Sequence, residues 1–159
     1  MKDKTWYDKV NEAGADTIGI HLEILDDEIR RMICPGKFSL TKALYSDHWK
    51  YALSVFGADQ VSSFILVGFE KNQEILKAEL SAVIQIGVIP IITPVRSIPS
   101  LKKDLAKISA EELYDLTVFA AKKMIEYNVN RLKNKAGCVK CEGCSAITDG
   151  YRLVSNDKV

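Results

Sequence analysis

Three of the four cysteines of this chain lie within seven residues of one another, at Cys138, Cys141 and Cys144. Their spacing is C-x-x-C-x-x-C, and spacers of two residues allow one loop to direct three thiolates at a single centre. Thiolates are the ligands that soft metals and iron–sulfur clusters prefer. The pattern therefore predicts a metal or iron–sulfur site, against the alternative of a flexible tail with ordinary thiols.

The spacing leaves the kind of centre open. A ferredoxin-type run of cysteines would continue to position 148, where this chain has Thr148. A structural zinc ion also needs a fourth ligand, and Cys34 supplies it only if the fold brings it to the tail. A [4Fe–4S] cluster and zinc therefore remain as the two alternatives at this point.

The overall composition is that of an ordinary globular protein. The 159 residues are 47% hydrophobic, and 22 basic against 21 acidic side chains give no indication of nucleic-acid binding. No apolar run reaches the roughly 18 residues of a membrane span, and the charged N-terminus lacks the apolar segment of a signal peptide. We therefore expect a cytoplasmic protein without membrane or nucleic-acid partners, whose clustered cysteines are ligands and not disulfides.

Apolar runs that alternate with helical patterns give the order of elements. Three runs with the character of buried strands lie at 16–23, 61–68 and 87–93. Helical patterns lie at 6–13, from 26, at 39–56, at 73–86, and from a capping box at 109 to about 131. This alternation favours an α/β fold with parallel strands. We expect residues 1–133 to form it and residues 134–159 to be a small, metal-ordered, cysteine-bearing tail without helical periodicity.

The number of strands is a physical problem for an independent domain. Three apolar parallel strands leave unpaired backbone groups at both edges of their sheet. A complete eight-stranded TIM-type barrel needs about 250 residues. The chain therefore has the size of half a barrel, and we expect it to need a partner, a second copy or an N-terminal half.

Four stretches carry a resemblance to a known family. Residues 14–23 read GADTIGIHLE, residues 33–37 ICPGK, residues 60–68 QVSSFILVG and residues 87–96 GVIPIITPVR. Together they resemble the C-terminal half of radical SAM enzymes, from the fourth barrel strand onward. The likeness is to the biotin-synthase-like branch, and within it to an uncharacterised subgroup that ends in a cysteine cluster. It spans residues 6–146, and the family's motif C-x-x-x-C-x-x-C is absent from this chain.

The resemblance implies roles for particular residues. His21 and Glu23 match the positions that hold the ribose of S-adenosylmethionine, and a carboxylate can accept two ribose hydroxyl hydrogens. Arg96 matches a polar position near cofactor and substrate, where a guanidinium suits a carboxylate. The glycine-rich pattern of the family's fifth strand is degraded here. Its adenine-flanking place falls on Ile65, Leu66, Val67 and Gly68.

The implied chemistry is reductive cleavage of S-adenosylmethionine to a 5′-deoxyadenosyl radical, followed by hydrogen abstraction from an undetermined small molecule. The tail cysteines would bind an auxiliary [4Fe–4S] cluster. An N-terminal polypeptide carrying C-x-x-x-C-x-x-C and a reductant such as a ferredoxin or flavodoxin are the expected partners, and this chain alone is expected to be inactive. The alternative is a non-catalytic metal-binding or electron-transfer module that uses only the tail.

Several single residues have plainer interpretations. His21 has the alternative of a core histidine satisfied by a backbone carbonyl. Cys34 is either a buried small hydrophobe or a functional loop residue. His48, beside Trp49 on a helix, is predicted to be a solvated surface residue. Glu23 follows an apolar strand, and a buried carboxylate is costly unless it is paired or used.

Overall fold

Three parallel strands joined by helices form the centre of the part of the chain that the structure describes. A computed structural model describes residues 3–70, 72–96 and 107–155. The elements are α1 (Thr5–Glu12), β1 (Ile18–Gly19), α2 (Asp27–Ile33), α3 (Pro35–Phe38), α4 (Lys42–Phe56), β2 (Val61–Val67), α5 (Gln73–Gln85), β3 (Ile89–Pro94), α6 (Ala110–Glu126), a 3-10 helix (Arg131–Lys133), α7 (Gly137–Cys141) and α8 (Ile147–Ser155). None of the helices in these ranges is long and apolar enough to cross a lipid bilayer.

The strands lie side by side in chain order. β1 pairs with β2 and β2 with β3, both in parallel, so that Ile18 lies opposite Val61 and Ser62 opposite Ile89. Parallel neighbours need crossover connections, and helices provide them here. The predicted α/β class with parallel strands is confirmed. The described residues form an open sheet with β1 and β3 at its edges, and a closed barrel is not seen among them.

The first strand is shorter than the apolar run predicts. Regular pairing ends at Gly19, and contact with β2 resumes at a single bridge between Glu23 and Ile65. Between these points the Leu22 amide donates to the Ser63 hydroxyl oxygen at 3.1 Å instead of to a backbone carbonyl. Glu23 itself has a φ of 71°, a left-handed conformation that interrupts a regular strand. The chain therefore bulges just before the predicted site residue.

The core lies between the sheet and the helices α4, α5 and α6. Val61, Ile65 and Val67 of β2 are fully buried on one face of the sheet. Trp49 of α4 is also buried, and its indole Nε1 donates to the Ile20 carbonyl at 2.9 Å. The hydrogen bond satisfies the polar edge of a buried tryptophan and fixes the chain where it leaves β1.

Side-chain caps define most of the helix ends. Asp26 caps α2 by accepting from two backbone amides, and Ser109 begins α6 with the predicted capping box. α4 begins at Lys42, three residues later than predicted, because Thr41 supplies its N-cap. α6 ends at Glu126, short of position 131. Asn128 takes a left-handed φ of 57° there, which terminates a helix.

The prediction that His48 is a solvated surface residue is wrong. The side chain is buried, with 4% of its surface exposed, and its Nδ1 lies 2.9 Å from the Tyr7 hydroxyl of α1. Tyr51, one turn further along α4, donates to Asp8 at 2.8 Å. The helical face that carries both residues is therefore covered by α1, a contact that the periodicity of α4 alone does not indicate.

The tail contains two helices where the sequence predicted no helical pattern. α8 packs along α6 and buries Ile147, while Val139 of α7 is buried nearby. α6 and α8 approach closely at Gly150, where a Cβ atom would lie 2.8 Å from Thr117 Cγ2. Short helices of this kind depend on tertiary packing more than on local propensity. That explains why their periodicity is weak in the sequence.

Candidate functional site

Glu23 follows the carboxyl end of β1 and forms an ion pair with Lys37 of α3. Its Oε1 is 2.5 Å from Lys37 Nζ, and the same ammonium lies 3.4 Å from the His21 carbonyl oxygen. Lys37 reaches this place because the short helix α3 follows α2 directly and returns towards the strand. This ion pair offsets the free-energy cost of burying part of the Glu23 carboxylate. Sequence reasoning did not single out Lys37, since its partner is fourteen residues away.

Cys34 lies on the other oxygen of the same carboxylate. Its thiol donates to Glu23 Oε2 at 3.8 Å. Burial, and after it the charge of Glu23, raise the pKa of the Cys34 thiol, so it is protonated near neutral pH. The structure thus places Cys34 as a weak hydrogen-bond donor to Glu23 and does not bring it together with the tail cysteines as a fourth ligand.

His21 is held in one tautomer by the backbone of β2. The Phe64 amide donates to His21 Nδ1 at 3.1 Å. Because a backbone amide can only donate, the proton of the neutral ring must sit on Nε2. Burial, followed by the charge of Lys37, lowers the pKa of His21 and favours this neutral form. The expected backbone partner is therefore present, but it is an amide instead of a carbonyl, and Nε2–H is left as a donor.

The His21 ring has room only because position 19 is glycine. A Cβ atom there would lie 2.5 Å from His21 Cε1 and 2.8 Å from Nε2. On its other side the ring meets Phe64 edge-on, with 5.0 Å between the ring centroids. The ring is thus fixed by one hydrogen bond and two close neighbours.

The carboxyl end of β2 is closed by a carboxylate that the sequence analysis missed. The amides of Gly68 and Phe69 both donate to Glu70 Oε2, at 3.1 and 3.2 Å. Ile65 and Val67 are fully buried in the core, and Leu66 is partly exposed on the opposite face. Leu66 is thus the partly exposed residue of the expected adenine-flanking stretch, and Gly68 is buried like Ile65 and Val67.

Arg96 is exposed just beyond β3. The Val95 amide donates to the Val67 carbonyl at 2.8 Å. The pairing of β2 and β3 therefore continues to Val95, the residue before Arg96. Parallel strands end at one edge of a sheet, so Arg96 lies at the same edge as Glu23. The structure records no contact between the two residues, and residues 97–106 are outside the described ranges.

The three tail cysteines come together on one turn. Cys138 and Cys141 lie on α7, Cys144 follows it, and all three are exposed. Burial, and after it the neighbouring Cys144 and Cys141 thiols, raise the pKa of the Cys138 thiol. Among the described residues, no three His, Cys, Asp or Glu side chains already form the arrangement of a metal centre. The donor set itself, three convergent thiols on a short turn, suits a soft metal or an iron–sulfur cluster.

A hydrogen bond ties this turn to the sheet. Thr93, near the carboxyl end of β3, donates from its hydroxyl to the Cys144 carbonyl at 3.1 Å. Thr148, at the position of a fourth ferredoxin-type cysteine, is buried in α8 and turned away from solvent. Cys144, the last residue of the thiol turn, therefore lies at the carboxyl end of β3, while His21 and Glu23 lie at the carboxyl end of β1, on the other side of β2.

This edge combines a neutral imidazole donor, a carboxylate acceptor with its lysine, and a turn of three thiols. Such groups can hold hydroxyl-bearing ligands and thiophilic metals. Comparisons with protein-family models, with curated proteins and with solved structures find no match to this chain.

Proposed function

We propose that this chain is the C-terminal part of a radical SAM enzyme that carries an auxiliary iron–sulfur cluster. The observation that supports this best is the hydrogen bond from Thr93 to Cys144, which brings the last residue of the thiol turn to the carboxyl edge of a parallel sheet. His21 and Glu23 are at the same edge. In barrels of parallel strands, active sites gather at that edge.

The sheet supports the proposal through its connectivity. Parallel strands in the order β1, β2, β3 with intervening helices are the arrangement of successive units in a TIM-type barrel. Within the described residues each outer strand pairs on one side only. An N-terminal polypeptide with further strands and the motif C-x-x-x-C-x-x-C would complete the barrel and pair these edges.

The ribose of S-adenosylmethionine is the proposed ligand of His21 and Glu23. His21 would donate from Nε2 to a ribose oxygen, and Glu23 would accept a ribose hydroxyl hydrogen. Lys37 holds the carboxylate in place while lone pairs remain for the ligand. When bound, S-adenosylmethionine supplies a 5′-deoxyadenosyl radical that takes a hydrogen atom from a small-molecule substrate. The part of these residues is binding, orientation and exclusion of water.

The tail thiols are the proposed ligands of the auxiliary cluster. Cys138, Cys141 and Cys144 would bind as thiolates, with a fourth ligand from outside this set or none. Zinc with a fourth ligand is the alternative occupant.

Metal analysis tests the tail. The protein is reconstituted anaerobically with iron and sulfide, and iron, sulfide, zinc and the EPR signal of the reduced protein are measured. The control is the triple variant Cys138→Ala, Cys141→Ala, Cys144→Ala. We expect about four irons per chain, lost in the variant. Stoichiometric zinc without iron would contradict the cluster.

Calorimetric titration with S-adenosylmethionine tests the sheet edge, in the presence of a polypeptide that carries the missing motif. Glu23→Gln is expected to weaken binding about tenfold or more, because a hydrogen bond to a charged group contributes about 1.5–3 kcal/mol. Glu126→Gln, which also loses a lysine partner but on the exposed side of α6, is the matched control. Equal affinity in wild type and Glu23→Gln would exclude the ribose role.

One observation favours a second candidate, a metal-binding or electron-transfer module without catalysis. All three tail cysteines are exposed, so a partner's redox centre could approach them directly. A reconstituted cluster in a protein that does not bind S-adenosylmethionine would support this function over the first.

A further inference from the structure

Arg131 lies where the α/β part of the chain meets the tail, and it is buried although it carries a charge. Its relative exposure is 2%. One guanidinium nitrogen, Nη2, donates to the Val139 carbonyl and lies 2.7 Å from Glu142 Oε1. Val139 stands between the first two cysteines of the tail and Glu142 between the last two. A single side chain thus holds both segments of the thiol turn.

Glu142 is the residue at which the turn reverses. Its φ of 63° is left-handed, a conformation that costs a non-glycine residue about 1–2 kcal/mol. Its amide donates to the Cys138 carbonyl at 3.3 Å, which closes α7. Its carboxylate contacts two guanidinium groups, because Arg152 of α8 also reaches it, at 3.5 Å. The strained backbone at Glu142 is therefore accompanied by ion pairs of its side chain with both arginines.

The side chains that contact one another at the thiol turn have charges that suit a site of thiolates. Arg131, Glu142 and Arg152 together carry a net charge of +1. Three thiolates bound to a divalent metal carry a net charge of −1. A buried guanidinium is costly unless it is paired and hydrogen-bonded. The partners of Arg131 are the Val139 carbonyl and the Glu142 carboxylate.

We propose that Arg131 is a positioning residue of the thiol site, which shapes the Cys138–Cys144 turn by binding the Val139 carbonyl and the Glu142 carboxylate with one guanidinium. The inference rests on the metal-binding part of the proposed function and not on the binding of S-adenosylmethionine. Because these contacts fix the two spacers between the cysteines, Arg131 lowers the cost of ordering the three thiols when a metal binds.

The test is an anaerobic titration with cobalt(II), whose thiolate charge-transfer absorption reports how many thiolates are bound. In Arg131→Lys the charge is kept, but the side chain is shorter and its ammonium does not extend to the place of Nη2. In Glu142→Gln the shape is kept but the charge is lost. Each is expected to weaken cobalt binding by about 10–100-fold, the usual effect of changing an outer-shell partner of a metal ligand. Each should also lower the charge-transfer absorption per cobalt.

Arg152→Gln is the matched control, because Arg152 contacts the same carboxylate from the exposed side. Its effect on cobalt affinity is expected to be about fivefold or less, the usual range for an exposed ion pair. Circular dichroism and thermal melting accompany each titration. Should Arg131→Lys fail to fold, Glu142→Gln decides the matter, since its side chain is partly exposed.

The outcomes separate the two proposals. Wild-type cobalt affinity and absorption in folded Arg131→Lys and Glu142→Gln would overturn the positioning role. A wild-type protein that binds neither cobalt nor iron would overturn this inference and the auxiliary cluster together. Weakened cobalt binding in both variants, in a protein that does not bind S-adenosylmethionine even with the polypeptide that carries the missing motif, would establish the positioning role and reject the radical SAM function.

Discussion

The edge of the sheet around His21 and Glu23 and the thiol turn of the tail are held by different kinds of contact. At the sheet edge, the backbone of β2 fixes His21 through the Phe64 amide, and Lys37 pairs with Glu23. In the tail, the side chains of Arg131 and Thr93 bind backbone carbonyls of the turn, at Val139 and Cys144. The first region is part of the folding core, and the second is attached to it.

This difference determines what a mutation in each region should do. A change at the sheet edge disturbs strand pairing and core packing, so it should lower the free energy of unfolding. A change in the thiol turn removes ligands or their supports, so it should alter metal binding and leave the rest of the fold in place. The following predictions test this separation, beginning with the largest expected effect.

Cys138→Ser should nearly abolish metal binding without loss of stability. We expect cobalt(II) affinity to fall by more than about 100-fold, since even changes to groups beyond the ligands cost about 10–100-fold. Cys138 is the first ligand of the proposed set, it is exposed, and its pKa is raised by burial of the thiol and then by the Cys144 and Cys141 thiols. The metal-free melting temperature should not change. Cys34→Ser is the matched control, and an equal loss there would mean that Cys34 is also a ligand.

Gly19→Ala should have the opposite character, with a stability cost and intact metal binding. The new Cβ would lie 2.5 Å from His21 Cε1, so the ring must move and its hydrogen bond with Phe64 must break. We expect a loss of about 1–3 kcal/mol in the free energy of unfolding, the usual cost of overpacking. Urea titration measures this. Gly36→Ala, with open space around the added atom, should be near neutral, and equal effects would contradict the steric argument.

Two substitutions at Glu23 separate its backbone strain from its side-chain pairing. Both Glu23→Gly and Glu23→Ala lose the contact with Lys37, but only glycine relieves the left-handed φ of 71°. Glu23→Gly should therefore be about 1 kcal/mol more stable than Glu23→Ala in urea titrations. Equal stabilities would show that residue 23 is not left-handed in solution. A strained backbone at a residue that carries a proposed ligand contact is consistent with a functional role.

The smallest expected effect is on the pH dependence of stability. Burial lowers the pKa of both His21 and His48 below the usual value of 6.5 in the folded chain. Below about pH 6.5 the unfolded chain binds protons that the folded chain does not, so the free energy of unfolding should fall as the pH drops from 7.5 to 5.5. His48→Gln should reduce this slope. A stability that is constant over this range in the wild type would contradict the burial of the two rings.

Much of the fold was accessible from the sequence because its signals are local. Apolar runs and helical periodicity predicted all three strands, and a capping box marked the start of α6. The errors arose where a distant part of the chain decides. His48 was placed on the surface because nothing near it in the sequence indicates that α1 covers it. α8 was missed because its stability comes from packing on α6.

The sequence by itself determined the donor set of the tail, since cysteines separated by two residues cannot lie far apart on any backbone. It also placed His21 and Glu23 at the end of an apolar strand. Only the tertiary structure decided which groups partner them. Lys37 meets Glu23, Phe64 fixes the tautomer of His21, and Arg131 and Thr93 hold the thiol turn. Such partners depend on how helices and strands pack, and residues that are distant in sequence become neighbours only when the core forms.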